Sequence, residues 1–115
     1  GPMMGRPLVN LAMPVMKGCS GIVVMDGKDV RRGTESACIK CAKCVEACPM
    51  GLEPYLISKQ ARRKAWDDLE RNDITSCIEC GCCQFTCPAN IPLLDYVRLG
   101  KQTVMGIIRA RNAKK

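Results

Sequence analysis

The apolar positions of this chain follow two helical stripes and one short strand-like run. Ile57, Ala61, Ala65 and Leu69 recur every four residues, with Trp66 on the shoulder and Arg62, Arg63, Asp67 and Glu70 elsewhere. That spacing lays one apolar face along a helix, predicted from about Pro54 to Arg71. Pro54 suits the first helical position, where its missing N–H costs nothing. Asn72 is a fair left-handed stop. Leu93, Val97, Gly100, Val104 and Ile107 step by four and three and predict a second helix from about Pro92 to Arg111. Arg109, Arg111, Lys114 and Lys115 crowd its end, where positive charge favours the helix dipole. Both stripes read as ordinary core faces.

Residues 1–33 differ. They are rich in Gly, Pro and Met, and their one strand pattern is Gly21-Ile22-Val23-Val24-Met25, followed by the turn dipeptide Asp26-Gly27. This run is expected to complete a β-structure lying mostly upstream. Asp29 to Gly33, with Arg31 and Arg32, reads as a linker. The division predicted is 1–33 as the end of an upstream β-containing domain plus linker, and 34–115 as a mainly α domain.

Composition sharpens this picture at one point. The 115 residues include ten Cys, against one Trp, one Phe, two Tyr and no His. So thin an aromatic core in a small domain calls for covalent or metal staples, and cysteine spacing decides which. Without His, no Ser–His, Cys–His or H-E-x-x-H arrangement exists, and no G-x-G-x-x-G or P-loop is present. The longest apolar run, Ile22 to Met25, is far short of the roughly 20 residues of a spanning helix. No signal-peptide pattern is present. The opening Gly1-Pro2-Met3-Met4-Gly5 is no obvious start, and the chain reads as a piece of a longer one.

The cysteines fall into a duplication offset by 39 residues. Cys38-Ile39-Lys40-Cys41-Ala42-Lys43-Cys44-Val45-Glu46-Ala47-Cys48-Pro49 is matched by Cys77-Ile78-Glu79-Cys80-Gly81-Cys82-Cys83-Gln84-Phe85-Thr86-Cys87-Pro88. Each copy has the form C-x2-C-x2-C-x3-C-P. Soft thiolates select iron–sulfur clusters, zinc or Cu(I), and structural zinc usually draws on paired C-x2-C knuckles. Three cysteines at successive three-residue steps instead let one loop wrap a four-iron cube. The fourth, three residues on, ligates the other cluster in two-cluster proteins. Two [4Fe-4S] clusters are therefore expected: one on Cys38, Cys41, Cys44 and Cys87, the other on Cys77, Cys80, Cys83 and Cys48. The exchange ties the halves about a pseudo-twofold axis. Pro49 and Pro88 redirect the chain, while Ala42 and Gly81 are small where backbone must approach sulfide.

With every iron on a protein thiolate, no iron is left for substrate, so the domain reads as an electron wire without a catalytic site. A purely structural, metal-stapled module is the bland alternative. Cys82 is expected to point off the cluster as a small buried hydrophobe, and Cys19 to be a lone buried thiol. The charge balance fits this. Lys and Arg outnumber Asp and Glu by 18 to 11, a formal +7. Two anionic clusters of roughly −2 each would lower that to about +3. The basic excess thus offsets buried anions, and with so few stacking aromatics it is not a nucleic-acid footprint.

Cys48 and Cys77 are separated by 28 residues, largely helical by pattern. This insert and the long C-terminal helix resemble the α-helical ferredoxin fold, which serves in many redox complexes, heterodisulfide-reductase-like and cobalamin-reductase-like subunits among them. A nearer match lies in Cys38 to Leu52, in Cys77-Ile78-Glu79-Cys80-Gly81-Cys82-Cys83 and in Cys87-Pro88-Ala89-Asn90-Ile91-Pro92-Leu93, together with Gly1 to Gly5 and Pro14 to Gly21. These segments closely resemble the C subunit of the Rnf electron-transport complex. Cys82 fits that family's Cys-Gly-Cys-Cys run, while Cys19 stands where Thr is expected. The resemblance implies a peripheral subunit on the cytoplasmic face of the bacterial inner membrane. Its complex moves electrons between NADH and ferredoxin and couples this to Na⁺ or H⁺ translocation. It also implies the other subunits as partners, with FMN and NADH chemistry confined to a domain upstream of residue 1.

Overall fold

The computed structural model describes residues 4–5, 7–30 and 33–113. Arg31 and Arg32 of the expected linker, Lys114 and Lys115 of the expected basic helix end, and Gly1-Pro2-Met3 lie outside the described residues. Five α-helices follow in order: α1 (Lys43–Glu46), α2 (Pro54–Arg62), α3 (Trp66–Arg71), α4 (Cys82–Phe85) and α5 (Leu93–Asn112), with a 3-10 turn over Ile74–Ser76 between α3 and α4. The domain is mainly helical, and no strand occurs among the described residues.

The repeat seen in the cysteines extends through the backbone. The short helices α1 and α4 begin 39 residues apart, as do α2 and α5. Ala42 (φ 61°) and Gly81 (φ 83°) precede α1 and α4 in the same left-handed conformation, and Gly51 (φ 65°) matches Asn90 (φ 52°). Each half is thus a cysteine loop, one helical turn, a left-handed bend and a packing helix.

The packing helices lie along one another. Ile57 and Ala61 of α2 meet Val97 and Val104 of α5, with Leu69 of α3 and Ile74 closing the core. Gly100 permits the close crossing, since a Cβ there would lie 2.8 Å from Ile74 Cδ1 and 3.0 Å from Leu69 Cδ1. A second apolar group of Ala89, Ile91 and Leu93 packs against Cys44, Cys83 and Cys87. Tyr96 touches both groups. At the start of α5, the Gln84 side-chain oxygen accepts from Leu94 N–H (2.9 Å), tying α4 to the free end of the long helix.

Three expectations change. The single helix expected over 54–71 is broken: Lys64 turns left-handed (φ 58°). Lys64 N–H donates to Ala61 O (3.1 Å) and Ala65 N–H to Gln60 O (3.0 Å). This is the paired bonding of a Schellman stop, with lysine where glycine is usual. The break lets α3 fold back so that Leu69 reaches the core. Asn72 is not the left-handed stop (φ −90°); Asp73 is (φ 51°), and Asn72 instead donates to the Gln60 side chain (3.0 Å). Along α5 the stripe ends at Val104: Ile107 is exposed and Ile108 packs on the core, because 3.6 residues per turn drift off a strict seven-residue repeat.

Residues 21–25 form no strand within the described residues. The turn at Asp26-Gly27 forms, with Asp29 N–H donating to Asp26 O (2.9 Å). The preceding Ile22-Val23-Val24 is exposed and forms no ladder, for a strand needs a partner to satisfy its N–H and C=O groups. Among the described residues, Arg98 of α5 donates to Met4 O (2.7 Å), tying the opening segment to that helix.

Candidate metal centre

Two left-handed residues curl each cysteine loop: Lys40 (φ 55°) and Ala42 in the first, Glu79 (φ 56°) and Gly81 in the second. Such backbone disfavours L side chains, and both loops adopt it at matching places. The bends deliver Cys44 and Cys83 into the short helices, and Cys48 and Cys87 follow just beyond their ends.

Four of the eight cysteines line a single pocket. Cys77, Cys80 and Cys83 come from the second motif and Cys48 from the first. About 410 Å³ of space lies within it, part of it open to solvent. Its apolar wall includes Leu52, Ile57, Leu94 and Val97, and Gly81 presents backbone at its rim. Leu52 N–H donates to Cys48 Sγ and Glu79 N–H to Cys77 Sγ, each at 3.4 Å.

The other four are less enclosed. Cys38 and Cys41 are exposed, while Cys44 and Cys87 are half-buried. The charges of Cys87 and Cys38 both bear on Cys44, so thiols from both motifs are neighbours here too. Cys44 and Cys87 share the apolar floor of Ala89, Ile91 and Leu93. Cys41 stands on the exposed loop ahead of α1.

Burial governs these thiols. It pushes Cys83 up to about 12, helped by the nearby charge of Cys77 and opposed by the Gln84 N–H. Burial also raises Cys77, against the lowering pull of the Glu79 N–H and the Lys101 ammonium. Cys44 rises for the same first reason, opposed by the Tyr55 N–H. Metal ligands must be thiolates, so a bound cationic centre has to displace these protons.

Cys82 and Cys19 differ from expectation. Cys82 is half-exposed and its thiol is held up chiefly by a hydrogen bond with the Cys80 side chain. Cys19 is exposed, its sulfur 3.5 Å from Gly21 O in a local turn, because the segment around it packs on no core.

A charged group at the second motif escaped the reading of the sequence. Glu79 sits between Arg98 Nε (3.3 Å) and Lys101 Nζ (3.5 Å) of α5. Lys101 also donates to Cys77 O (2.5 Å). The available hint was the exchange of Lys40 for Glu79 between the copies. Which α5 cations it meets depends on the rotation of that helix.

Among the described residues, no three Cys, Asp, Glu or His side chains converge as ligands of one metal ion would. A four-iron cube takes one thiolate at each corner. Four cysteines spaced around a pocket, with backbone N–H groups aimed at two of the sulfurs, fit the cube.

The family comparison agrees: residues 37–91 match the 4Fe-4S dicluster domain. The chain is 44% identical over 112 residues to the C subunit of the Na(+)-translocating ferredoxin:NAD(+) oxidoreductase complex of Acetobacterium woodii, covering 97% of this chain and 25% of that protein. It is 52% identical over 58 residues to the C subunit of the proton-translocating ferredoxin:NAD(+) oxidoreductase complex of Clostridium ljungdahlii, covering 50% of this chain and 13% of the relative. With the C subunit of the ion-translocating oxidoreductase complex of Rhodobacter capsulatus it shares 41% over 101 residues, 88% of this chain and 20% of the relative. The chain therefore spans a quarter or less of these relatives. Over that span, with its iron–sulfur domain in common, it is a homologue of the C subunits of the Rnf-type ion-translocating oxidoreductases.

Proposed function

We propose that this chain relays electrons through two [4Fe-4S] clusters, one held by Cys77, Cys80, Cys83 and Cys48, the other by Cys38, Cys41, Cys44 and Cys87. The observation that carries the reading is the entry of Cys48, from the first motif, into the pocket of Cys77, Cys80 and Cys83. The neighbourhood of Cys87 and Cys44 supports the reciprocal exchange. Each cluster, when bound, stores and releases single electrons without bond rearrangement. The residues around it do the rest. Leu52 and Glu79 N–H groups steady ligand sulfurs. Leu52, Ile57, Leu94 and Val97 limit water at the second set. The α2–α5 core holds both loops in fixed relation.

In this reading residues 34–115 are an α-helical two-cluster ferredoxin domain, and residues 1–33 close an upstream β-containing domain that supplies the partner for Ile22 to Met25. The chain works as the relay of a membrane-associated NADH:ferredoxin oxidoreductase that translocates ions, peripheral on the cytoplasmic face, with the complex's other subunits as partners. FMN and NADH bind upstream of residue 1. No helix among the described residues is long and apolar enough to cross a membrane.

Iron and acid-labile sulfide content of anaerobically purified protein tests the proposal. About eight irons per chain and four-iron EPR signals after dithionite are expected. A colourless protein carrying zinc alone would refute it, and about four irons would leave one of the two ligand sets without a cluster.

A further inference from the structure

The two motifs are not electrostatically equal. At equivalent, left-handed positions stand Lys40 and Glu79. Lys40 is exposed, as is Lys43 beside it. Glu79 is drawn between two cations of α5, Arg98 at 3.3 Å and Lys101 at 3.5 Å. The three side chains are shielded, with 15% of Arg98, 23% of Lys101 and 30% of Glu79 exposed. One carboxylate against two cations leaves net positive charge beside Cys77. Lys101 is held closest, its ammonium donating to Cys77 O at 2.5 Å. Shielded charges act through a lower effective dielectric than solvated ones, which counter-ions also screen. Lys101 therefore outweighs the exposed lysines of the first motif. The N–H groups of Glu79 and Leu52 on Cys77 and Cys48 push in the same direction. Positive charge and N–H bonds to sulfur both favour the more negative, reduced form of an iron–sulfur centre.

We propose that Lys101, anchored by Glu79 beside Cys77, raises the reduction potential of the Cys48/Cys77/Cys80/Cys83 centre above that of the Cys38/Cys41/Cys44/Cys87 centre and so makes it the first to be reduced. This rests on the two-cluster relay proposed above. The step it biases is a one-electron exchange: the first centre is oxidised by one electron, the second is reduced by the same electron, and no proton or bond is transferred. Lys101 touches a ligand's carbonyl and acts on the centre through space.

Potentiometric EPR titration of the full-length, anaerobically purified protein tests this, with iron content measured on every sample. Two four-iron signals with separate midpoints are expected. Lys101→Gln should lower the higher midpoint by an amount equal to a roughly tenfold loss of reduced centre at fixed potential, about 59 mV for one electron. The lower midpoint should stay. Lys101→Arg, keeping the charge, should restore most of the shift, and Lys40→Gln should move neither midpoint. If the Lys101→Gln protein fails to hold its second centre, Glu79→Gln removes a charge of opposite sign and should raise the same midpoint. Unchanged midpoints in both Lys101→Gln and Glu79→Gln, or a shift of the lower one alone, would overturn the role of Lys101. Native protein lacking two four-iron signals would instead sink the relay itself.

Discussion

Ala61 and Gly100 occupy equivalent places in the two halves and face one another where α2 crosses α5. A Cβ built on Gly100 would lie 3.5 Å from Ala61 Cβ, an ordinary contact, but 2.8 Å from Ile74 Cδ1 and 3.0 Å from Leu69 Cδ1. Ile74 and Leu69 are fully buried and have little room to yield. Gly100→Ala gains about 1 kcal/mol of helix propensity and meets an overpacking cost of roughly 1–3 kcal/mol. A net loss of about 1 kcal/mol in urea unfolding is expected. Ile74→Val deletes the crowding Cδ1 atom, so it should cost less in the G100A background than alone. Additive effects would show that the crowding is relieved elsewhere.

The crossed ligand sets can be separated by pairs of substitutions. Cys41→Ser with Cys48→Ser alters two cysteines of one motif but one from each proposed set. It should leave little bound iron. Cys48→Ser with Cys80→Ser alters both motifs but a single set, so about four irons should remain. Uncrossed motifs would give the reverse, which makes iron content and EPR of these two proteins decisive.

Much of the centre was legible because its geometry is local. A C-x2-C-x2-C-x3-C spacing fixes which residues a loop can turn toward one another, and the repeat fixed where α2 and α5 begin. Tertiary choices were less visible. Nothing in Arg63-Lys64-Ala65 marks a helix stop, since lysine carries none of glycine's ease in left-handed backbone. The stop is forced by the burial of Leu69 against α5 after the chain doubles back. Ile22 to Met25 has strand propensity without a strand to pair with. The chemistry of Cys82 suggests a small buried hydrophobe pointing off the cluster, yet its position at the start of α4 turns it toward Cys80 and leaves it half-exposed. The Glu79–Lys101 pairing joins residues 22 apart and follows from how α5 lies against the second loop.

The buried thiols make the cluster-free protein sensitive to alkali. In the unfolded chain a cysteine ionises near its ordinary value of 9.0, whereas folded Cys83 holds its proton to about 12. Cys77 and Cys44 are shifted the same way, burial being the largest cause in each. Between these limits the unfolded state binds fewer protons than the folded state, so stability falls as pH rises; below the lower limit both states are protonated and the thiols give no slope. The urea midpoint of reduced, cluster-free protein should therefore be flat to about pH 8 and decline from about pH 9. Cys83→Ala should show a shallower decline. An unaltered slope in Cys83→Ala would mean that Cys83 is not the group responsible. Iron bound to the thiolates removes these protons, so the cluster-loaded protein should lack the decline.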